Sequence, residues 1–237
     1  MRLAVISDVH SNIYALEEVL KDIDSRNIDR VVCAGDLVGY NPFPNQVIDK
    51  IKDEEIETVQ GNYDDAIGFS RIVCGCDYTT EKSKKIGLNS IQFSGEKTTE
   101  DNKEFLQKLP QELKLELKEY TALMVHGSPR RLNEYLYADS EEVKEVVEEL
   151  EEDILICGHT HKPYHQVINS KHVINVGSIG KPKHGNPNAI YTIIEVKEGK
   201  VKTEFIEVPY PVEKVTSKIK ETNLANESIE MLEQGIG

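Results

Sequence analysis

The chain has 237 residues, 38% hydrophobic and 30% charged, a balance that reads as a globular protein long enough to bury a core without disulfides. Its formal net charge is −14, which argues against nucleic acid as a partner, because duplex binding rests on Lys and Arg neutralising phosphates. No apolar run reaches the ~20 residues of a membrane-spanning helix, so no membrane is expected.

In chain order, Leu3 to Ile6 reads as a buried strand that begins too close to the amino terminus for a secretion signal to precede it; a cytoplasmic location is the expectation. Leu16, Val19, Leu20 and Ile23 come next at helical spacing. Val31 to Ala34 is a second strand, followed by the Pro-rich loop Tyr40-Asn41-Pro42-Phe43-Pro44 and a short helix with Val47, Ile48 and Ile51 on one face. Ile56 to Val59 is a third strand, and the strand–helix–strand rhythm implies parallel pairing. About 64–109 carries no strong strand signal and reads as a helical insert.

Leu123 to Val125 is the next strand. Asp139 or Ser140 opens a helix with Val143, Val146, Val147 and Leu150 inward, and Glu142 stands at a capping-box distance from Asp139. Ile154 to Cys157, Val167 to Ile168 and Val173 to Val176 are further strands, and Ile190 to Val196 and Val201 to Val208 flank a hairpin turn at Glu198-Gly199. About 211–237 reads as a helical tail with Val215, Ile219, Ile229 and Leu232 apolar. No repeat or linker divides the chain, so one domain is expected, an α/β fold of two packed mixed sheets flanked by helices. Cys33 and Cys157 lie in apolar runs, and Cys74-Gly75-Cys76 has no second pair to complete a zinc site, so all four cysteines read as reduced.

The informative pattern lies at the carboxyl end of each strand: Ser7-Asp8-Val9-His10, Gly35-Asp36, Gly61-Asn62-Tyr63-Asp64, His126-Gly127 and Gly158-His159-Thr160-His161. Open α/β sheets bind ligands beyond the carboxyl ends of their strands, so five such ends on one sheet edge would converge. Taken singly, Asp8 could cap a helix, Asp36 and Asn62 are ordinary turn residues, and His126 could be a satisfied core-edge histidine. Together the groups are carboxylate, imidazole and amide oxygen, which suit Mn, Fe, Zn, Ni or Co. Seven ligands suit two ions, and metal pairs ~3.5–4 Å apart clamp the attacking and leaving oxygens of an in-line displacement.

In order and spacing these five blocks resemble the calcineurin-like metallophosphoesterases, from Arg2 to about Val208. Gly39-Tyr40-Asn41-Pro42, His126-Gly127-Ser128-Pro129-Arg130 and Asn175-Val176-Gly177-Ser178 look like the bacterial and archaeal branch described as phosphodiesterases or diadenosine-tetraphosphatase-like proteins. The resemblance implies a four-layer α/β/β/α sandwich that hydrolyses a small phosphorylated substrate by attack of a hydroxide bridging two metals. It would place Asp8, His10 and His161 on one metal, Asn62, His126 and His159 on the other, and Asp36 between them. Asn62, Tyr63 and Asp64 would stand at the reacting phosphate. Arg130 and Asn12 are substrate-contact candidates whose alternatives, a surface cation and a helix cap, stay open. His165, His172 and His184 match no ligand position and read as surface or rim, with His184 nearest the mouth.

One departure concerns Tyr63, where the family commonly carries a histidine thought to protonate the leaving group. Competing readings are a protein-binding scaffold, as in the retromer subunit built on this fold, a protein serine/threonine phosphatase, or a nuclease disfavoured by the acidic charge. A homo-oligomer stays open.

Overall fold

The computed structural model describes residues 1–236; residue 237, the end of the expected tail, lies outside the described residues. One sheet is built from both ends of the chain. β1 (Arg2–Ile6) pairs parallel with β2 (Arg30–Cys33), which pairs parallel with β3 (Glu57–Thr58). The hairpin of β9 (Ala189–Lys197) and β10 (Lys200–Val208) joins the other side of β1 antiparallel, giving the order β10-β9-β1-β2-β3. The second sheet has the order β4-β5-β6-β8-β7. Its centre is parallel, made of β5 (Tyr120–Val125), β6 (Ile154–Cys157) and β8 (Lys171–Asn175). The edges β4 (Glu112–Leu117) and β7 (Tyr164–Ile168) run antiparallel to it.

Strand side chains alternate between faces, and this divides the core into layers. Leu3 and Val5 of β1 pack with Val32, Met124, Ile154, Ile156 and Ile174 between the two sheets. Ala4 and Ile6 face the other way, onto α1 (Ile13–Asp24), α2 (Pro44–Asp53) and α7 (Val212–Lys220) through Leu16, Val19, Val47, Ile48, Val215 and Ile219. The outer face of the second sheet packs Leu123, Val125 and Leu155 against Val143, Val146 and Val147 of α6 (Glu141–Glu149). Each such side chain contributes roughly 1.5–3 kcal/mol when fully buried. The result is the four-layer sandwich expected from the sequence.

Several local expectations are corrected. β4 has no counterpart among the strands expected from the sequence, yet Leu113, Leu115 and Leu117 alternate with charged residues, and the last two are buried against the inter-sheet core. That is a half-buried edge strand, whose outward charges disguise it. The cap of α6 is Ser140, whose hydroxyl accepts the Val143 amide at 3.4 Å, while Asp139 sits in the turn at φ 62°. β3 is shorter than expected and β7 longer. The segment from Asn62 onward folds as α3 (Asn62–Gly68), α4 (Glu81–Lys97) and α5 (Glu100–Lys108), and the tail as α7 and α8 (Glu227–Gln234). No helix of the described residues is long and apolar enough to cross a membrane.

Candidate metal centre

The five strand ends meet, but they come from two sheets instead of one edge: Asp8, Asp36 and Asn62 lie just beyond β1, β2 and β3, while His126 and the His159/His161 pair lie beyond β5 and β6. Short ties join them. The Asp8 carboxylate accepts the His159 amide at 3.1 Å and the Ser7 hydroxyl at 2.8 Å. The Gly158 amide donates to the His126 carbonyl at 2.8 Å. A Cβ on Gly158 would stand 2.7 Å from Asp8 Oδ2, so only glycine lets the end of β6 approach the end of β1.

Asp8, His10, Asp36, His159 and His161 all have left-handed backbones, with φ of 50°, 45°, 55°, 64° and 61°. Such a conformation costs of order 1–3 kcal/mol per non-glycine residue and persists only where the surroundings over-determine it. Here they do. The Asp8, His10 and Ser11 amides donate to the carbonyls of Gly35, Asp36 and Leu37, and the Asn41 side chain donates to the His10 carbonyl at 2.8 Å.

Two groups of buried donor atoms result, Asp8–His10–His161 and Asp36–His126–His159, each with its atoms within 4.8 Å of one another. In the first, His161 Nε2 lies 3.1 Å from Asp8 Oδ1 and 3.2 Å from His10 Nε2. In the second, His126 Nε2 lies 3.4 Å from Asp36 Oδ2. The same Asp36 oxygen is 3.7 Å from His10 Nε2, so one carboxylate stands between both groups.

The tautomers can be read from the partners. His10, His126 and His161 each direct Nδ1 at a backbone carbonyl, of Val38 (3.0 Å), Ala34 (2.8 Å) and Lys181 (2.5 Å). A carbonyl only accepts, so Nδ1 carries a proton in all three; in neutral His10 and His161 the Nε2 lone pair then turns inward, whereas His126 Nε2 faces the acceptors Asn62 Oδ1 and Asp36 Oδ2. This arrangement is the one that orients metal-ligating imidazoles. Asp8 Oδ1 and His159 Nε2 have no hydrogen-bond partner although both are buried. The residues therefore fit a pair of cations. Burial, joined by the His161 imidazole, pushes His10 down to about 3, and burial, joined by Lys183 and Lys181, pushes His161 down to about 4, so both stay neutral near pH 7. Burial also works against a charged His126, but the Asp36 carboxylate outweighs it and raises this imidazole to about 10. A cation there would have to displace that proton.

Asn62 turns its amide oxygen to 3.0 Å from His126 Nε2, while its nitrogen donates to the Cys74 carbonyl and to Cys76 Sγ. The remaining sequence candidates are placed differently. Asp64 does not face the two groups: its carboxylate accepts the amides of Asp36 (2.8 Å), Leu37 (2.8 Å) and Gly61 (2.9 Å) and so braces the turns that carry Asp36 and Asn62. Replacing it with Asn puts an amide nitrogen where an acceptor is needed. Asp64→Asn is expected to lower unfolding free energy by about 1–3 kcal/mol in urea titrations.

Tyr63 is buried under Gly39, with its ring edge-on to His10 at 5.3 Å and its hydroxyl 3.4 Å from that of Tyr78. Burial raises its phenol well above 10, which makes it a weak acid. Asn12 caps α1: its oxygen accepts the Ala15 amide at 3.2 Å and its nitrogen reaches the Gly180 carbonyl at 3.4 Å. Arg130 pairs with Glu134 (2.9 Å) and Glu145 (2.8 Å). His165 and His172 form a half-buried pair, Nε2 to Nδ1 2.8 Å, and His165 also meets Thr203 of β10 at 3.0 Å. His184 lies 4.0 Å from Glu207 and does not line the mouth.

Residues outside the five ligand blocks complete the frame. Asn175 donates to the Gly158 carbonyl at 2.5 Å, and Ser178 to the Asp8 carbonyl at 2.9 Å. Lys181 and Lys183, between β8 and β9, line the cleft beside the two groups.

Residues 1–199 match the calcineurin-like phosphoesterase superfamily domain. The chain is 31% identical over 242 residues to an uncharacterized protein of Methanocaldococcus jannaschii, covering 94% of this chain and 93% of that one. Among solved structures it is similar to a metallophosphoesterase from Sphaerobacter thermophilus (26% identity, TM-score 0.79, 100% and 99% of the two chains). It is also similar to a hypothetical protein from Pyrococcus horikoshii OT3 (24% identity, TM-score 0.84, 99% and 98%). With this match spanning both donor groups, the chain belongs to the calcineurin-like phosphoesterase superfamily.

Proposed function

We propose that the protein hydrolyses small phosphate esters, mono- or diesters, with two transition-metal ions. Asp8, His10 and His161 hold one ion, Asn62, His126 and His159 the other, and Asp36 serves both. The observation that carries this reading is the Asp36 carboxylate, 3.4 Å from His126 and 3.7 Å from His10, between two groups whose imidazole Nε2 atoms turn inward. When bound, the cations would supply Lewis acidity, acidifying a water and neutralising charge on the phosphoryl oxygens. The chain's own contribution is positional. The Tyr63 amide donates to Asp36 Oδ1 at 2.8 Å, leaving Oδ2 toward the imidazoles. The carbonyls of Val38, Ala34 and Lys181 anchor three imidazoles through Nδ1, and Asp64 keeps the turn beneath Asp36 closed.

Manganese is the first ion to test, since carboxylate, imidazole and amide oxygen suit it and no thiolate enters either group. The protein acts in the cytoplasm on this reading. The test is turnover of a panel of aryl and alkyl mono- and diesters by protein reconstituted with each of Mn, Fe, Zn, Ni and Co; no turnover in any combination would leave the scaffold reading in its place.

Tyr63 gives a narrower expectation. With its hydroxyl against Tyr78, Tyr63→Phe should change kcat by less than about threefold, far below the ~10²–10⁴ of a general acid. Without a side-chain acid there, aryl esters and anhydrides are favoured over alkyl esters, whose leaving groups need a proton. A loss of about 100-fold in Tyr63→Phe, confined to alkyl substrates, would return Tyr63 to the acid's role.

A further inference from the structure

A cleft of about 990 Å³ opens beside the two donor groups. Its wall residues touch them: the Tyr40 ring lies 4.9 Å from His10, the Tyr135 ring 4.1 Å from His159, and the Lys181 carbonyl accepts the His161 imidazole proton. The volume greatly exceeds a phosphate ion and suits a complete organic ligand. One wall presents Tyr135 and Tyr137, whose rings stack 5.7 Å apart at an interplanar angle of 8°.

The chain carries 42 acidic residues, and many surface cations pair with one, as Lys21, Lys103, Lys144 and Lys218 do. Arg130 and Arg131 share Glu134. Lys162, Lys181 and Lys183 line the cleft and make no ion pair with any described residue. Lys181 is only 6% exposed, and its ammonium meets the face of Tyr40 at 4.5 Å instead of a carboxylate. Lys162 lies 5.7 Å over the ring of Tyr137. A buried ammonium without an anion is costly, and a second one beside it raises that cost. An anion entering from outside would relieve both lysines at once.

We propose that Lys181 and Lys183 form a subsite for a second phosphoryl group of the substrate, next to the one held at the metal centre, with the organic part along the Tyr135–Tyr137 wall. The substrate class is then an organic compound phosphorylated at two positions. This rests on the phosphoesterase reading above for the place of the first phosphoryl group. Lys181 and Lys183 act as specificity-determining residues, since a singly phosphorylated ligand leaves them unpaired.

The test is equilibrium binding of adenosine 3′,5′-bisphosphate and of adenosine 5′-monophosphate to metal-loaded protein, which holds the ring and the first phosphate constant. The wild type should bind the bisphosphate at least about tenfold more tightly, the scale of one charge-assisted hydrogen bond. Lys181→Met, Lys183→Gln and their combination should shrink that ratio toward one. Lys183→Gln, at a less buried position, keeps the test open if Lys181→Met fails to fold. Equal affinities in the wild type, or a ratio that survives both substitutions, overturns the subsite. Metal content and aryl diester turnover are measured on the same samples. Absent turnover with the ratio intact counts against the hydrolase reading alone, whereas turnover without the ratio overturns the subsite alone.

Discussion

Asp36→Asn is expected to lower kcat by at least about 10³-fold and to reduce bound metal from two ions per chain to one or none. The substitution is nearly isosteric, but it replaces an oxygen between the two donor groups with either a neutral oxygen or an NH₂ that cannot ligate. The Tyr63 amide donates to Asp36 Oδ1, so the surviving amide oxygen is drawn to that bond and the nitrogen is turned toward His10 and His126. Both groups then lose their shared anion. The charge that raises His126 to about 10 also disappears, so that imidazole should titrate lower. Metal analysis, steady-state kinetics and a urea titration on one preparation separate the outcomes. Full turnover with both ions retained would remove Asp36 from the bridging place.

Chelation gives the second large effect: activity should fall by more than about 100-fold, return on adding a suitable divalent ion, and leave the far-ultraviolet circular dichroism unchanged. Three apolar clusters hold the layers together, and none of them contains a donor atom of either group. A chain of this length buries roughly 70–75% of its unfolded surface without help from a metal. Chelation removes only the ligand contribution to the folded state, about 2.7 kcal/mol for a site held at 100 times its Kd. For a domain of this size that lowers Tm by roughly 5–10 °C per site. Five strained left-handed residues lose their outside partner at the same time. Hydrogen exchange should therefore rise first in the turns after β1, β2 and β6 and stay slow in the strands. Loss of the helical signal on chelation would mean that the metals are structural, as in small zinc domains.

The two expectations draw on different layers of the molecule. The chelation result depends on Leu3, Val5, Ile154 and Ile156 between the sheets, whose burial has nothing to do with ligands. The Asp36 result depends on a short turn, closed from behind by Asp64 and in front by the start of α3. A substitution in one layer should leave the readout of the other nearly intact, because distant sites without shared partners are close to additive.

Which residues could do chemistry was legible in the chain alone. Each of Asp8, Asp36, Asn62, His126, His159 and His161 stands just after an apolar strand and beside a turn, and that relation is local, written within a few residues of chain. The layers were legible too, because alternating apolar residues must find a second face to cover them. β4 was not, since its outward charges hide the alternation of three leucines. That the strand ends come from two sheets emerges only in the folded molecule, because pairing of β1 with β9 and of β6 with β8 links residues far apart in sequence. The same long-range packing sorted the donors into two groups around Asp36, turned Asn12 into a cap, Arg130 into an ion pair and Asp64 into a brace, and brought Lys181 and Lys183 unpaired into the cleft. Side-chain identity is local, but the partner that assigns it a task is chosen by the fold.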